Sequence, residues 1–352
     1  MLYLHIGSHK TGTSSIQATF FAGRDRLRKR GISYFGYCDN HSRPILWRFG
    51  SHRYAHPVTV NAGMTRDDVD AASAEVEAAL TEFLNDPSCP AKVISAEELS
   101  TLSRADLEGL WSFLQPFGVR TRIIVYVRNY FDYMNSQMQE LVKWGWTLPA
   151  LIESIGAGRA VYPGYRNRIE KFIDKWGREA VDIRILDERT LEGGDLFADF
   201  CSALGAPAAL VGLEKTTENV SLSARSVRLL SEYNRLFPTT VEGKPNPRRA
   251  PALRAELLLA PGPKFRLQDA AALDLFERRI APDVTYLRGL LGEDAVKLLT
   301  ERPPSARAAG ETERPDADIE DLMEAFGRTP RPAPGLAERL VEEARKKLGA
   351  CR

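Results

Sequence analysis

The sequence predicts an α/β fold of three layers: a central, mainly parallel sheet, helices on both faces, and a helical C-terminal extension. Three observations carry this expectation. Short apolar runs alternate with stretches of helical periodicity, the mark of repeated strand–helix units. The run 122–127, Arg-Ile-Ile-Val-Tyr-Val, stays apolar almost without interruption, as a strand covered on both faces should. The chain also opens on a short apolar strand, a glycine-punctuated loop and a helical pattern.

That opening is the first element. Residues 2–6 read as a strand, and Ile16, Phe20 and Leu27 recur at helical spacing. Between them lies Gly7-Ser8-His9-Lys10-Thr11-Gly12-Thr13-Ser14-Ser15. Gly7 and Gly12 allow a tight turn whose N–H groups can converge on an anion. A helix starting near Thr13 adds unpaired N–H groups and the positive end of its dipole. Thr13, Ser14 and Ser15 supply hydroxyls, and Lys10 supplies a mobile charge. The fold is therefore expected to be P-loop-like, although a nucleotide P-loop places its lysine directly after the second glycine and this chain has it at position 10.

The remaining elements follow in order. Residues 31–35 read as a strand. Residues 36–66 lose periodicity and hold His41, His52 and His56 among aromatic and basic residues, so a long binding loop for an acceptor is expected there. His52 and His56 are four apart, but Pro57 and the missing apolar stripe argue against a helical metal clamp. A helix is predicted over 67–86, capped by Asp67 or Asp68, then a strand over 92–96 running into Glu97-Glu98. Ser103 should cap the next helix, through Leu114. Beyond the strand 122–127, helices are expected over 132–144 and 165–176, a strand over 181–186, and a helix from Leu196 to Leu204. Asn219-Val220-Ser221-Leu222-Ser223 leads into another helix. Residues 238–268, rich in Pro and Arg, read as an extended excursion. Two helices, 269–280 and 283–299, would complete a domain spanning 1–300. Residues 301–335 have linker composition, and Leu336, Leu340, Val341, Ala344 and Leu348 form one helical face, a docking surface for the parent domain or for a second copy in a homodimer.

Composition excludes several classes. A net charge of +1 over 352 residues argues against a dedicated nucleic-acid binder. The four cysteines are far apart, so neither a zinc site nor a disulfide framework is expected. No run of eighteen apolar residues occurs, hence no membrane span, and the amino end has no signal-peptide layout. A cytoplasmic protein is the expectation.

The loop at 7–15 resembles the 5′-phosphosulfate loop of sulfotransferases that use 3′-phosphoadenosine 5′-phosphosulfate (PAPS). A second block, Val125-Tyr126-Val127-Arg128-Asn129-Tyr130-Phe131-Asp132-Tyr133-Met134-Asn135-Ser136, resembles that family's 3′-phosphate motif, an arginine closing a strand with a serine eight residues on. The resemblance implies transfer of a sulfuryl group from PAPS to a hydroxyl or amine of a small-molecule or glycan acceptor, leaving 3′,5′-ADP, with no metal. Gly7, His9, Lys10, Thr11, Gly12, Thr13, Ser14 and Ser15 would then hold the 5′ end, and Arg128 and Ser136 the 3′-phosphate. The family's Arg-Lys-Gly segment is missing, and Lys215, Ser221 and Arg225 are the candidates to replace it. Lys10 would neutralise charge on the departing phosphate, and Glu97 would take the acceptor's proton; Glu97 and Glu98 are equally consistent with the first turn of a helix. Two other readings stay open: an ATP-dependent P-loop-like kinase, and a non-catalytic nucleotide-binding or scaffold protein.

Overall fold

The computed structural model describes residues 1–7, 10–157, 161–206, 213–216, 221–241, 243–247, 249 and 251–302. The expectations concerning His9, Asn219, the linker and the C-terminal helix fall outside these residues.

Five strands form the central sheet: β1 (Leu2–His5), β2 (Ile32–Tyr34), β3 (Ala91–Ser95), β4 (Thr121–Val127) and β5 (Val181–Ile185). Their order is β2-β3-β1-β4-β5 and every pairing is parallel. A two-stranded antiparallel ribbon, β6 (Thr240–Val241) with β7 (Lys244–Pro245), stands apart from it. Side chains alternate across a strand, so each face of the sheet has its own core. Leu2, Leu4 and Ile6 join one core, and Tyr3 joins the other with Ile16, Phe20 and Phe200.

The helices come in chain order. The first are α1 (Thr13–Ala22), α2 (Arg24–Arg28), α3 (Ser42–Phe49), α4 (Pro57–Asn61) and α5 (Arg66–Asn85). Next are α6 (Arg104–Leu114), α7 (Tyr130–Lys143), α8 (Leu148–Ala157), α9 (Tyr165–Trp176) and α10 (Leu196–Ala203). The last are α11 (Ala224–Leu236), α12 (Pro251–Leu258), α13 (Ala270–Leu291) and α14 (Glu293–Thr300). The α1, α2 and α10 helices cover the Tyr3 face, while α5, α6, α7 and α9 cover the other. This is the expected three-layer α/β arrangement. No helix among the described residues is long and apolar enough to cross a membrane.

Several local expectations are corrected. Residues 36–66 hold two helices, α3 and α4; Ile45 and Phe49 of α3 join the sheet core, in a stretch too short for periodicity to register. The cap of α5 is Thr65, in a reciprocal box with Asp68, not Asp67 or Asp68 itself. The excursion 238–268 contains α12 and the β6–β7 ribbon. Residues 270–291 form one helix through Pro282, where a break was expected. Next to that proline, the buried Asp283 accepts hydrogen bonds from the Tyr130 hydroxyl at 2.7 Å and from the N–H groups of Tyr165 at 3.0 Å and Arg166 at 2.7 Å. Those bonds anchor α13 to neighbouring helices at the residue beside the missing backbone donor.

Candidate functional site

Three adjacent strands set the site. Because β3, β1 and β4 are neighbours and parallel, their carboxyl ends lie side by side, at the edge where open α/β sheets bind ligands. The loop after β1, Glu97 after β3 and Arg128 after β4 are thereby brought to one cleft of about 850 Å³.

The loop is built by sterics as much as by sequence. Lys10 has φ 68°, the described non-glycine residue with a left-handed backbone. Gly12 follows at φ 79° and forms the amino end of α1; a Cβ there would lie 2.4 Å from Leu196 Cδ2. Gly7 serves differently from expectation. Its φ is not positive, and a Cβ on it would meet Thr13 Oγ1 at 2.5 Å, so the glycine makes room for Thr13. Thr11 and Thr13 are buried with hydroxyls 3.3 Å apart. The α1 helix has no side-chain cap and no acidic residue in its first turn, and Thr13, Ser14 and Ser15 line the cleft. A helix amino end without these competitors is suited to an anion.

Arg128 closes the loop from the other side. One guanidinium nitrogen donates to the Lys10 carbonyl at 2.9 Å, and the residue's own N–H and C=O are both bonded to the Tyr165 hydroxyl, at 2.9 and 2.8 Å. Ser136 stands on the cleft wall, carried by α7, which Asn129 caps. The same helix presents residues that sequence reasoning missed. Asp132, Glu140 and Lys143 follow the helical spacing of Ser136 and line the cleft with it. The Lys10 ammonium contacts Glu140 at 2.8 Å, and Lys143 contacts the same carboxylate at 3.4 Å. Burial pushes the Glu140 carboxyl up, but the two ammonium groups outweigh it and hold the group below the usual carboxylate range.

The far wall also comes from α7. Buried Gln139 accepts the Leu222 N–H at 2.7 Å, and buried Asn135 accepts the Leu267 N–H at 2.7 Å. These two amides pin chain segments that place Ser221 and Lys264 on the cleft. Lys264 had no local sequence signal; a bridge between Ser223 and Lys264 aligns its segment. Of the three residues expected here, Ser221 lines the cleft. Lys215 pairs with Asp195 at 2.8 Å, and neither it nor Arg225 lines the cleft.

Glu97 lines the cleft. Extended structure ends before it, and residues Glu97–Ser100 form a 3₁₀ turn, with the Glu97 N–H bonded to the Ser42 hydroxyl at 2.9 Å. Glu98 points elsewhere, 3.7 Å from His56 Nε2 and bonded to the Thr101 hydroxyl.

The three candidate histidines separate. His41 is fully buried: Nε2 donates to the Phe35 carbonyl at 2.7 Å and Nδ1 accepts the Ser95 N–H at 2.9 Å, which ties β3 to α3 and removes it from acceptor binding. His52 and His56 lie beside Glu98 and off the cleft, with ring centroids 5.3 Å apart and planes tilted by 55°. The three groups' ligand atoms lie within 4.8 Å of one another, yet His56 Nδ1 accepts the Val58 N–H at 3.2 Å. In the neutral ring that leaves the proton on Nε2, facing Glu98, where a metal would need a lone pair.

Buried His41 and His5 predict acid sensitivity. Burial lowers His41 to about 4 and His5 to about 3, below their unfolded value of about 6.5. The folded state thus holds them neutral while the unfolded chain takes up protons, so stability is complete above pH ~6.5 and falls as the pH drops. The expected loss is up to about 1.4 kcal/mol per pH unit for each histidine. Urea midpoints measured from pH 7 to 5, where carboxylates stay ionised, should fall steadily; an unchanged midpoint would contradict the buried neutral state.

No protein-family model matches the chain, and no curated protein matches it. Among solved structures it is similar to the crystal structure of a sulfotransferase from Alicyclobacillus acidocaldarius, at 17% identity and a TM-score of 0.38, over 62% of this chain and 85% of that one.

Proposed function

We propose that the chain is a PAPS-dependent sulfotransferase. The observation that carries the reading is the meeting of an uncapped helix amino end, Lys10, Arg128, Ser136 and Glu97 on one cleft. The residues fit a donor with two anionic ends. The turn at 12–15 and Lys10 would hold the 5′-phosphosulfate, and Gly12, at φ 79°, holds a left-handed backbone that disfavours a side chain there. Arg128 and Ser136, with Lys264 and Ser221 on the facing wall, would hold the 3′-phosphate.

The donor supplies an activated sulfuryl group. An acceptor oxygen forms a new S–O bond while the S–O bond to the 5′-phosphate breaks. The electron pair leaves on the phosphate oxygen, and the acceptor proton passes to Glu97. Lys10 would leave Glu140 and follow the charge that develops on the leaving oxygen. Glu140 thus parks the ammonium between turnovers.

Thermal shifts with 3′,5′-ADP, ADP and ATP–magnesium test the reading. A clear rise with 3′,5′-ADP alone is expected. A magnesium-dependent rise with ATP would favour a kinase, and no rise with any nucleotide would favour a scaffold. In Arg128→Ala, affinity for 3′,5′-ADP should fall by about 1.5–3 kcal/mol, and Ser136→Ala should cost about 1. Because Arg128 also braces the Lys10 carbonyl, adenosine 5′-phosphosulfate should weaken too, but less. Equal losses for both ligands would mean that Arg128 shapes the loop without reading the 3′-phosphate.

A further inference from the structure

Trp144 is 69% exposed and Trp146 is 43% exposed. An exposed large aromatic is informative because its apolar area contributes nothing to the core there. The turn that carries them is nonetheless held firmly. The Trp144 N–H bonds to the Glu140 carbonyl at 3.1 Å, and the Trp146 N–H to the Leu141 carbonyl at 3.0 Å. Buried Asn234 donates to the carbonyls of Val142, at 2.7 Å, and Trp146, at 2.9 Å. Arg254 donates to the Lys143 carbonyl at 2.8 Å. Gly145, at φ 108°, leaves 2.3 Å between a hypothetical Cβ and Thr239 Cγ2, so the turn admits no other residue without rearrangement. A rigid backbone that presents two open indole rings is built as a contact surface: little entropy is lost when something lies on it.

Trp144 lines the cleft. It sits one helical turn beyond Glu140, the residue that holds the Lys10 ammonium. It therefore shares one cleft with Lys10 and Glu140. The same cleft is lined by Glu97, Gln137 and Glu188, which offer carboxylate and amide partners for hydroxyl groups. A flat apolar face in a cleft that also carries hydrogen-bonding groups matches a sugar ring, which has a C–H face and a hydroxyl rim. A hydrophobic phenol would need a mostly apolar pocket, whereas most of the residues that line this cleft are of polar or charged type.

Resting on the sulfotransferase reading, we infer that the acceptor is a glycan, and that Trp144 is the platform on which the sulfated sugar stacks. Trp146, two residues on in the same turn, does not line the cleft. It receives the next sugar, so oligosaccharides are preferred over single sugars. Both tryptophans are positioning residues for the acceptor, while the nucleotide is held by other groups.

The test uses the full chain with PAPS and four acceptor probes: methyl β-D-glucopyranoside, chitohexaose, a heparosan hexasaccharide and 4-nitrophenol. Sulfation of at least one hexasaccharide is expected. Trp144→Ala should raise its KM by about tenfold or more, a loss of about 1.4 kcal/mol or more, and Trp144→Phe should recover most of it. Trp146→Ala should raise KM for the hexasaccharide but not for the monosaccharide. Affinity for 3′,5′-ADP should change less than about twofold in all three variants. Sulfation of 4-nitrophenol alone, or of no saccharide by a chain that binds 3′,5′-ADP, would overturn the inference. So would a tenfold loss of 3′,5′-ADP affinity in Trp144→Ala, which would assign the ring to the adenine. Should the parent chain fail to bind 3′,5′-ADP, the sulfotransferase reading itself falls. Quenching of tryptophan fluorescence by the hexasaccharides, lost in Trp144→Ala, then still decides whether the platform exists, and its absence refutes it.

Discussion

Lys10→Ala is expected to lower sulfuryl-transfer turnover by about 10²–10³, the usual worth of a group that neutralises charge in the transition state. The fold should survive it. Lys10 already sits at φ 68°, and alanine carries the same Cβ into the same left-handed conformation, so backbone strain is unchanged. The lost contact with Glu140 is partly exposed, at 21% and 23% for the two side chains, and such pairs are worth at most about 1 kcal/mol. The bond from Arg128 reaches the Lys10 carbonyl, not its side chain, and stays in place. Lys10→Arg should also be poor, because a guanidinium spreads its charge over a larger plane. Pre-steady-state turnover at saturating PAPS measures the effect directly. An alanine variant with near-parental turnover would remove Lys10 from the chemistry.

The second large effect is expected at Glu97. Glu97→Gln should retain 3′,5′-ADP affinity and lose about 10²–10⁴ in turnover, the range for a general base. Glu98→Gln should stay within a few-fold of the parent. The structure separates the two carboxylates by geometry: Glu97 lines the cleft, whereas Glu98 is engaged with His56 and Thr101. Glutamine keeps the size and shape of either side chain while replacing one acceptor oxygen by an NH2 group, so a turnover loss in Glu97→Gln reports the missing basicity rather than a lost shape. The opposite ranking, or two mild variants, would move the base to another cleft carboxylate, with Asp132 and Glu188 next in line.

Much of the frame was legible because its causes are local. Strand β4 announces itself by an apolar run, since both of its faces are covered. The helix α9 shows its stripe from Tyr165 to Phe172, and Ser103 caps α6 in a box with Asp106. The short α3 was missed because eight residues give too little periodicity to stand out. The continuity of α13 was missed because Pro282 reads locally as a break, and the bonds beside it run from Asp283 to other helices. His41 looked like a loop ligand for a similar reason: its burial depends on β3 and Phe35, not on its neighbours in sequence.

What the sequence determined alone is the five strands of the sheet and most of the longer helices, the glycine-flanked start of α1, and the placing of Arg128 and Ser136 at the end of β4 and within α7. Each follows from residue spacing, turn chemistry or the periodicities of 2 and 3.6. Only the tertiary structure decided what those pieces meet. The order β2-β3-β1-β4-β5 puts Glu97, Lys10 and Arg128 on one cleft. Lys10 finds Glu140 across 130 residues, and the amides of Gln139 and Asn135 draw in Ser221 and Lys264. Local patterns report which face of an element is buried. They do not report its partner, because that choice is made by long-range packing and hydrogen bonds that form only when distant segments are folded together.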